Sequence, residues 1–300
     1  MSAQEVRDRG LVLGDRAEGR RRRGRDLLRR LLRHRGAVVG LSVVLTMVVL
    51  AAVGPSLSRH DPYAISGDTT FLAPSSRFVL GTDHMGRDIL TRIVYGARIS
   101  LAIGLVASGS AAVVGTAFGL AAGFFGGRVD DVIGRAVDIM LAFPGTVLAL
   151  MIIVVLEPGL MNVMIAVGFA RIPQFVRLVR GQVLALRETD YVSAARALGA
   201  NSLRIMVRHI LPNILAPAMV LATLGIGTAI LAAAGLGYLG LGAPPPTPEW
   251  GLMLSESRDF MRDAWWTAAF PGLAITITVV AVNVLGDGLR DVLDPRMRGR

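Results

Sequence analysis

Several runs of about 20 residues carry no charge, the length a helix needs to cross roughly 30 Å of hydrocarbon. Inside lipid a helix satisfies its own backbone hydrogen bonds, so such runs point to an all-α membrane bundle. With 53% of 300 residues hydrophobic, the chain is too apolar for a soluble protein. We place six spans at Ala37–Leu57, Ile99–Gly123, Ala136–Leu156, Leu160–Val179, Ile214–Leu236 and Ala268–Gly286. The fourth is interrupted by Arg171, Pro173 and Arg177, which a span keeps if they face protein or lie near its cytoplasmic end. Pro144 and Pro173 predict kinks.

What the chain lacks narrows its chemistry. It has no cysteine, which excludes disulfides, thiolate metal sites and cysteine nucleophiles. All 32 basic residues are arginine, so the lysine of a standard P-loop is missing and nucleotide chemistry must sit elsewhere. The net charge of +10 suggests nucleic acid until the arginines are mapped. Of these, 25 flank one face of the bundle and 7 the other, which puts both termini in the cytoplasm. Residues 1–36 form an Arg-rich tail. In it Leu27, Leu28, Leu31 and Leu32 recur at helical spacing, an amphipathic helix on the anionic leaflet. A cleaved signal peptide fits poorly, because the charged region is too long and the apolar run is of full spanning length.

Gly115, Gly119 and Gly123 recur every four residues, a spacing that lets two membrane helices approach closely. Gly225, Gly227, Gly235 and Gly237 thin the fifth span in the same way. Ordinary bundle packing and a surface that slides between states both fit. Ionisable groups within the spans are few; Asp138 and Arg171 are expected off-centre, and Asn162 and Asn283 read as helix–helix hydrogen bonders. That sparseness weighs against an ion-coupled carrier. A membrane-embedded enzyme has no constellation to rest on, since His34, His60, His84 and His209 are unpaired in sequence.

Between the fourth and fifth spans lies a polar, basic, helix-forming stretch, Asp190–Asn213. Ala194, Ala195 and Leu198 fall on one helical face, and Gly199 is placed to end the helix in a left-handed cap. Asn201 and Ser202 can cap a second short helix toward His209, and Pro212 suits the start of the fifth span. The expected product is two short helices joined by a glycine turn, projecting from the bundle into the cytoplasm. A DNA-binding helix-turn-helix is a poor alternative, because both ends are tied into membrane.

At these residues the chain resembles the permease subunits of bacterial ABC importers. Ser193-Ala194-Ala195, Gly199 and Leu211-Pro212 are similar to their "EAA" loop, with Ser193 in place of the usual Glu. The ending His209 to Asn213 is similar to the peptide-importer branch. So are Leu80-Gly81-Thr82-Asp83 with Gly86-Arg87-Asp88, Leu239–Gly242 running into Pro245, Pro246, Pro248, Trp250 and Gly251, and the tail from Asn283 to Arg296. The resemblance runs from about Leu31 to Arg298 and is to the "C" permease of a dipeptide, oligopeptide or nickel importer.

The resemblance implies a coupling helix that docks in a groove on a separate ATPase subunit, a helix-in-groove contact. Tyr191, Ala194, Ala195, Leu198, Gly199 and Ala200 would form its core, Arg196 and Arg204 its rim, and Leu211 and Pro212 its close. It implies as partners a second homologous permease, two ATPases, an extracytoplasmic substrate-binding protein and lipid. ATP and magnesium would bind the ATPases, with no cofactor and no catalytic residue in this chain. Residues 37–97 would be the first span and an external segment, 98–290 the core permease, and 291–300 a cytoplasmic tail. The external signature Gly81, Asp83, Gly86, Arg87, Asp88, Pro246, Trp250 and Gly251 matches without explaining itself. His60 with Asp61, and Asp83 with His84 and Asp88, have no recognisable metal spacing and are expected on a polar external surface. Pro244 to Pro248 predicts a stiff external loop.

Overall fold

A computed structural model describes residues 31–58 and 60–293. Most of the amphipathic tail and the end of the C-terminal signature lie outside the described residues. Helix α1 spans Arg35–Leu57 and starts on His34, whose Nδ1 accepts from the Ala37 amide at 3.1 Å. Helix α2, Ile89–Phe125, begins ten residues before the expected span. Asp88 caps it, accepting from the Thr91 amide, and protein contacts shelter Arg92 at its start.

The third span differs from expectation. Helix α3 (Gly127–Leu141) and helix α4 (Gly145–Leu156) meet at a bend of 92°. Pro144 has no N–H to continue α3, and a proline disfavours helical geometry in the residue before it. Twelve residues give α4 a length of about 18 Å, too short to cross alone. Among the described residues five helices are long and apolar enough to span, and the bent pair, taken as one span, makes a sixth.

Helix α5, Leu160–Leu186, runs through Pro173 without a break. It extends seven residues past the expected end, so Arg171 lies near its middle rather than toward one end. Helix α6 is Asp190–Ala197 and α7 is Ser202–Ile205. A π turn, Met206–Ile210, then joins α7 directly to α8, Leu211–Tyr238. Helix α9, Trp250–Ser257, and α10, Trp266–Leu293, complete the chain. One isolated bridge, Thr82 to Asp88, is the β pairing among the described residues.

Helix α2 is the axis of the bundle. Its Gly115, Gly119 and Gly123 are buried against α5. A Cβ on Gly119 would come within 2.8 Å of Val176 O and Val179 Cβ, and one on Gly123 within 2.7 Å of Val183. Only hydrogen fits there, and close backbone approach is what holds membrane helices in lipid. Three apolar cores run along the axis. Trp250, Trp266 and Ile89 belong to one, Ile103, Ile153 and Val167 to the middle one, and Val183, Val192 and Ile210 to the third. Val113, Val132 and Val155 stand exposed on the outside, as a lipid-facing belt requires.

Candidate functional site

The third core fixes the Asp190–Asn213 element. Val192 and Ala195 point inward from α6 and pack with Val179, Val183, Ile205, Ile210 and Ile214. Tyr191, Ala194, Arg196 and Leu198 point away from the bundle, and Leu198 is 88% exposed. The shared face expected for Ala194, Ala195 and Leu198 is thus divided: Ala195 anchors the element, while its neighbours form the outer surface. Ala200 is half-buried beside it.

The turn after α6 is closed by two crossed hydrogen bonds. Gly199 N donates to Arg196 O and Ala200 N donates to Ala195 O, each at 3.0 Å. This is the Schellman arrangement, and it needs a left-handed residue; Gly199 has φ +77°. Asn201 then caps α7, its Oδ1 accepting from the Arg204 amide at 2.9 Å. The second short helix is not separate, because the π turn feeds it straight into α8. Leu211 opens α8 and Pro212 follows, where a missing N–H is tolerated. Asn213 Nδ2 donates to His209 O at 2.6 Å and to Tyr191 Oη at 3.4 Å. That side chain ties the Asp190–Asn213 element to the membrane helix that follows it.

At the other end of the bundle Gly81, Asp83, Gly86, Arg87, Asp88, Trp250 and Gly251 are buried, Pro246 is exposed, and Asp83 and Arg87 join one charged cluster. Gly81 and Gly86 both have positive φ and turn the chain tightly about Asp83. Leu72 O and Ser66 O lie where their Cβ atoms would be. The Asp83 carboxylate accepts from the amides of Met85 and Arg87, each at 2.9 Å, and from Arg87 Nε at 2.6 Å. Arg87 Nη2 donates to Glu256 at 2.8 Å, and Arg92 Nη2 donates to the same Glu256 oxygen at 2.9 Å. Arg92 also reaches Pro246 O, Trp250 Nε1 donates to Ile93 O, and Gly251 packs against the Ala234 backbone. The expected polar external surface is therefore wrong for Asp83 and Asp88, which are buried. Burial is possible because two guanidiniums face two carboxylates and the cluster is neutral. Arg92 and Glu256 went unnoticed in the sequence, since neither belongs to a local pattern.

Asp83, His84 and Glu256 lie close enough to share a cation. Both carboxylates already accept from Arg87 or Arg92, and two buried positive charges there oppose a third. Nearby, Glu249 is 2% exposed and caps α9, accepting from the Gly251 and Leu252 amides at 2.9 and 2.8 Å. Burial pushes its carboxyl above the ordinary range, opposed by those two amides and by Ser100. Two further ion pairs, Arg177–Asp138 at 2.9 Å and Arg180–Asp130, clip α3 to α5. Asn162 Nδ2 bonds Leu156 O and Glu157 O at the end of α4.

Residues 115–299 match the family of binding-protein-dependent transport system inner membrane components. Residues 23–74 match the N-terminal transmembrane domain of oligopeptide transport permease C. The dipeptide transport system permease protein DppC of Alkalihalophilus pseudofirmus is 47% identical over 91% of this chain and 90% of its own length. The di/tripeptide transport system permease protein DppC of Pseudomonas aeruginosa is 45% identical over 88% of this chain and 89% of its own. A chain of the methionine ABC transporter MetNI, in an inward-facing conformation, aligns with a TM-score of 0.56. It is 21% identical and covers 68% of this chain and 97% of its own length, a likeness of fold.

Proposed function

We propose, since the chain belongs to the family of binding-protein-dependent transport system inner membrane components, that it passes di- or oligopeptides through the cytoplasmic membrane as one of two permeases in an ATP-driven importer. A multi-pass inner-membrane subunit of an ABC importer is a pore-former rather than an enzyme, and ATP hydrolysis belongs to its partners. The observation that carries the peptide reading is the high identity, over nine-tenths of the chain, to permeases named for dipeptide transport. Those relatives do not favour the nickel alternative.

The rest of the assembly follows from that reading. Two ATPase subunits bind ATP and magnesium, a second homologous permease completes the pathway, and an extracytoplasmic binding protein delivers the peptide. Both termini and the Asp190–Asn213 element face the cytoplasm. Tyr191, Ala194, Leu198 and the Gly199 turn meet an ATPase groove, with Arg196 and Arg204 at the rim. Ala195 and Ala200 support the turn from within, and Leu211 and Pro212 pass its movement to α8. The buried Asp83–Arg87–Arg92–Glu256 cluster stiffens the outer end, where the binding protein docks.

The test is reconstitution of the permease pair with its ATPases and binding protein in liposomes. Peptide-stimulated ATP hydrolysis and uptake of a labelled tripeptide are expected. Uptake of nickel ions without peptide uptake would overturn the reading of the cargo.

A further inference from the structure

A cavity of about 250 Å³ opens where the third span bends. Gly145, Thr146, Arg171, Gln174 and Thr228 bring polar groups to it. Gly145 and Thr146 begin α4, and no side chain caps that helix. Its first amides therefore have no intrahelical acceptor, and its positive end lies at the cavity. Arg171 donates through Nη1 to Thr228 Oγ1, while its Nε is buried without an acceptor. Among the described residues no carboxylate pairs with Arg171. Gly225 makes room for it, since a Cβ there would sit 2.8 Å from Nη2.

Depth makes this arrangement unusual. Gly145 lies the length of α4, about 18 Å, from the turn joining α4 to α5. Arg171 lies about 17 Å along α5 from the same turn. With that turn at one face of the bilayer, both fall near the middle of a hydrocarbon layer roughly 30 Å thick. An unneutralised guanidinium at that depth is costly and marks a path for a charged ligand. Broken helices with uncapped N-termini at mid-membrane are used by transporters to hold anionic substrate groups.

We propose that Arg171, Thr228 and the first turn of α4 form a carboxylate station on the translocation path, which takes the C-terminal carboxylate of a peptide in transit. A second cavity of about 410 Å³, lined by Val147, Leu150, Leu231 and Leu236, adjoins it and accepts apolar side chains. Thr146, Thr228 and Ala232 line both. The station thus grips a group every peptide has, while the adjoining wall makes no polar demand on sequence. This inference rests on the peptide reading above.

The test uses the whole transporter complex in nanodiscs, without the binding protein. Because the chain has no cysteine, Val147→Cys gives it one thiol at the edge of the cavity. Trialanine is expected to slow alkylation of that thiol by a maleimide, and trialanine amide to do so far less. Arg171→Gln is expected to raise the trialanine concentration needed by about tenfold or more, the worth of a charge-assisted hydrogen bond. Equal protection by acid and amide would overturn the proposal, as would unchanged protection in Arg171→Gln. A thiol that never reacts would overturn it too, because the cavity would be closed. If instead a carboxylate of the second permease neutralises Arg171, trialanine gives no protection and Arg171→Gln weakens the permease pair. Uptake of trialanine by the complete wild-type system is measured in parallel. Its absence counts against the peptide reading itself, whereas uptake with equal acid and amide protection counts against the station alone.

Discussion

Glu256 holds two arginines that are otherwise sealed from solvent, with Arg87 and Arg92 at 1% and 0% exposure. Removing one member of such a group leaves a buried charge without a partner, at a cost of about 3–5 kcal/mol. Glu256→Gln is therefore expected to lower the unfolding temperature of the purified complex sharply. Arg258→Ala, which breaks an exposed pair with Asp259, should change it little. Equal shifts for the two variants would show that the cluster adds no stability. Glu249 behaves oppositely, being buried without a cation. Its carboxyl titrates above the ordinary range because burial disfavours the charge. Its contribution to stability is then fully present below the ordinary carboxylate pKa and is lost as pH rises through the raised one. Glu249→Gln keeps an acceptor for the α9 amides and should flatten that decline. The check is unfolding temperature against pH for both proteins, and parallel curves would refute it.

Gly199 sets the shape of the Asp190–Asn213 element, and Ala195 sets its seat. A side chain at φ +77° costs about 1–2 kcal/mol, and proline cannot adopt that angle at all. Gly199→Pro is expected to abolish transport while the binding protein still docks. Normal peptide-stimulated ATP hydrolysis in that mutant complex would sink the coupling role. Leu198→Ser changes an exposed surface alone, so it should uncouple hydrolysis from uptake without lowering stability. Ala195→Trp acts through the interior instead and should loosen α6 from Val183 and Ile210, visible as faster hydrogen exchange in α6. Between membrane helices, Gly119→Leu would force α2 off the Val176 carbonyl and the Val179 side chain of α5. Loss of assembled complex on purification is the expected result.

For the whole molecule the arginine asymmetry makes a topological prediction. A cysteine at exposed Glu188 should react with an impermeant maleimide only after cells are opened, and one at exposed Tyr63 should react in intact cells. The reverse pattern would invert the bundle and remove the ATPase from reach of α6. The two ends of the molecule are built differently for a physical reason. The end carrying Asp83 and Glu256 is locked by buried charge, while the element carrying Gly199 is held to the bundle by apolar packing and by Asn213. Apolar contacts in the third core permit small sliding shifts that a buried ion cluster would resist. Closure of ATP-binding partners is thereby expected to move α6 and α8 while the outer end stays rigid.

Much of this was legible from residues alone. Uncharged runs dictated spans because lipid offers a backbone no other partner. The Gly199 cap, the Asn201 cap and the four-residue glycine repeat were readable because each depends on neighbours within a few positions. Tertiary structure decided what depends on partners far along the chain. Arg87 and Arg92 meet Glu256 some 160 residues away, so no local pattern could show that Asp83 is buried. Pro144 announced a kink, but its 92° angle is seen only in the packed bundle. In the sequence Arg171 shows only as a charge interrupting an apolar span. Its depth, its unpaired Nε and the cavity before it exist only once α4, α5 and α8 are packed together.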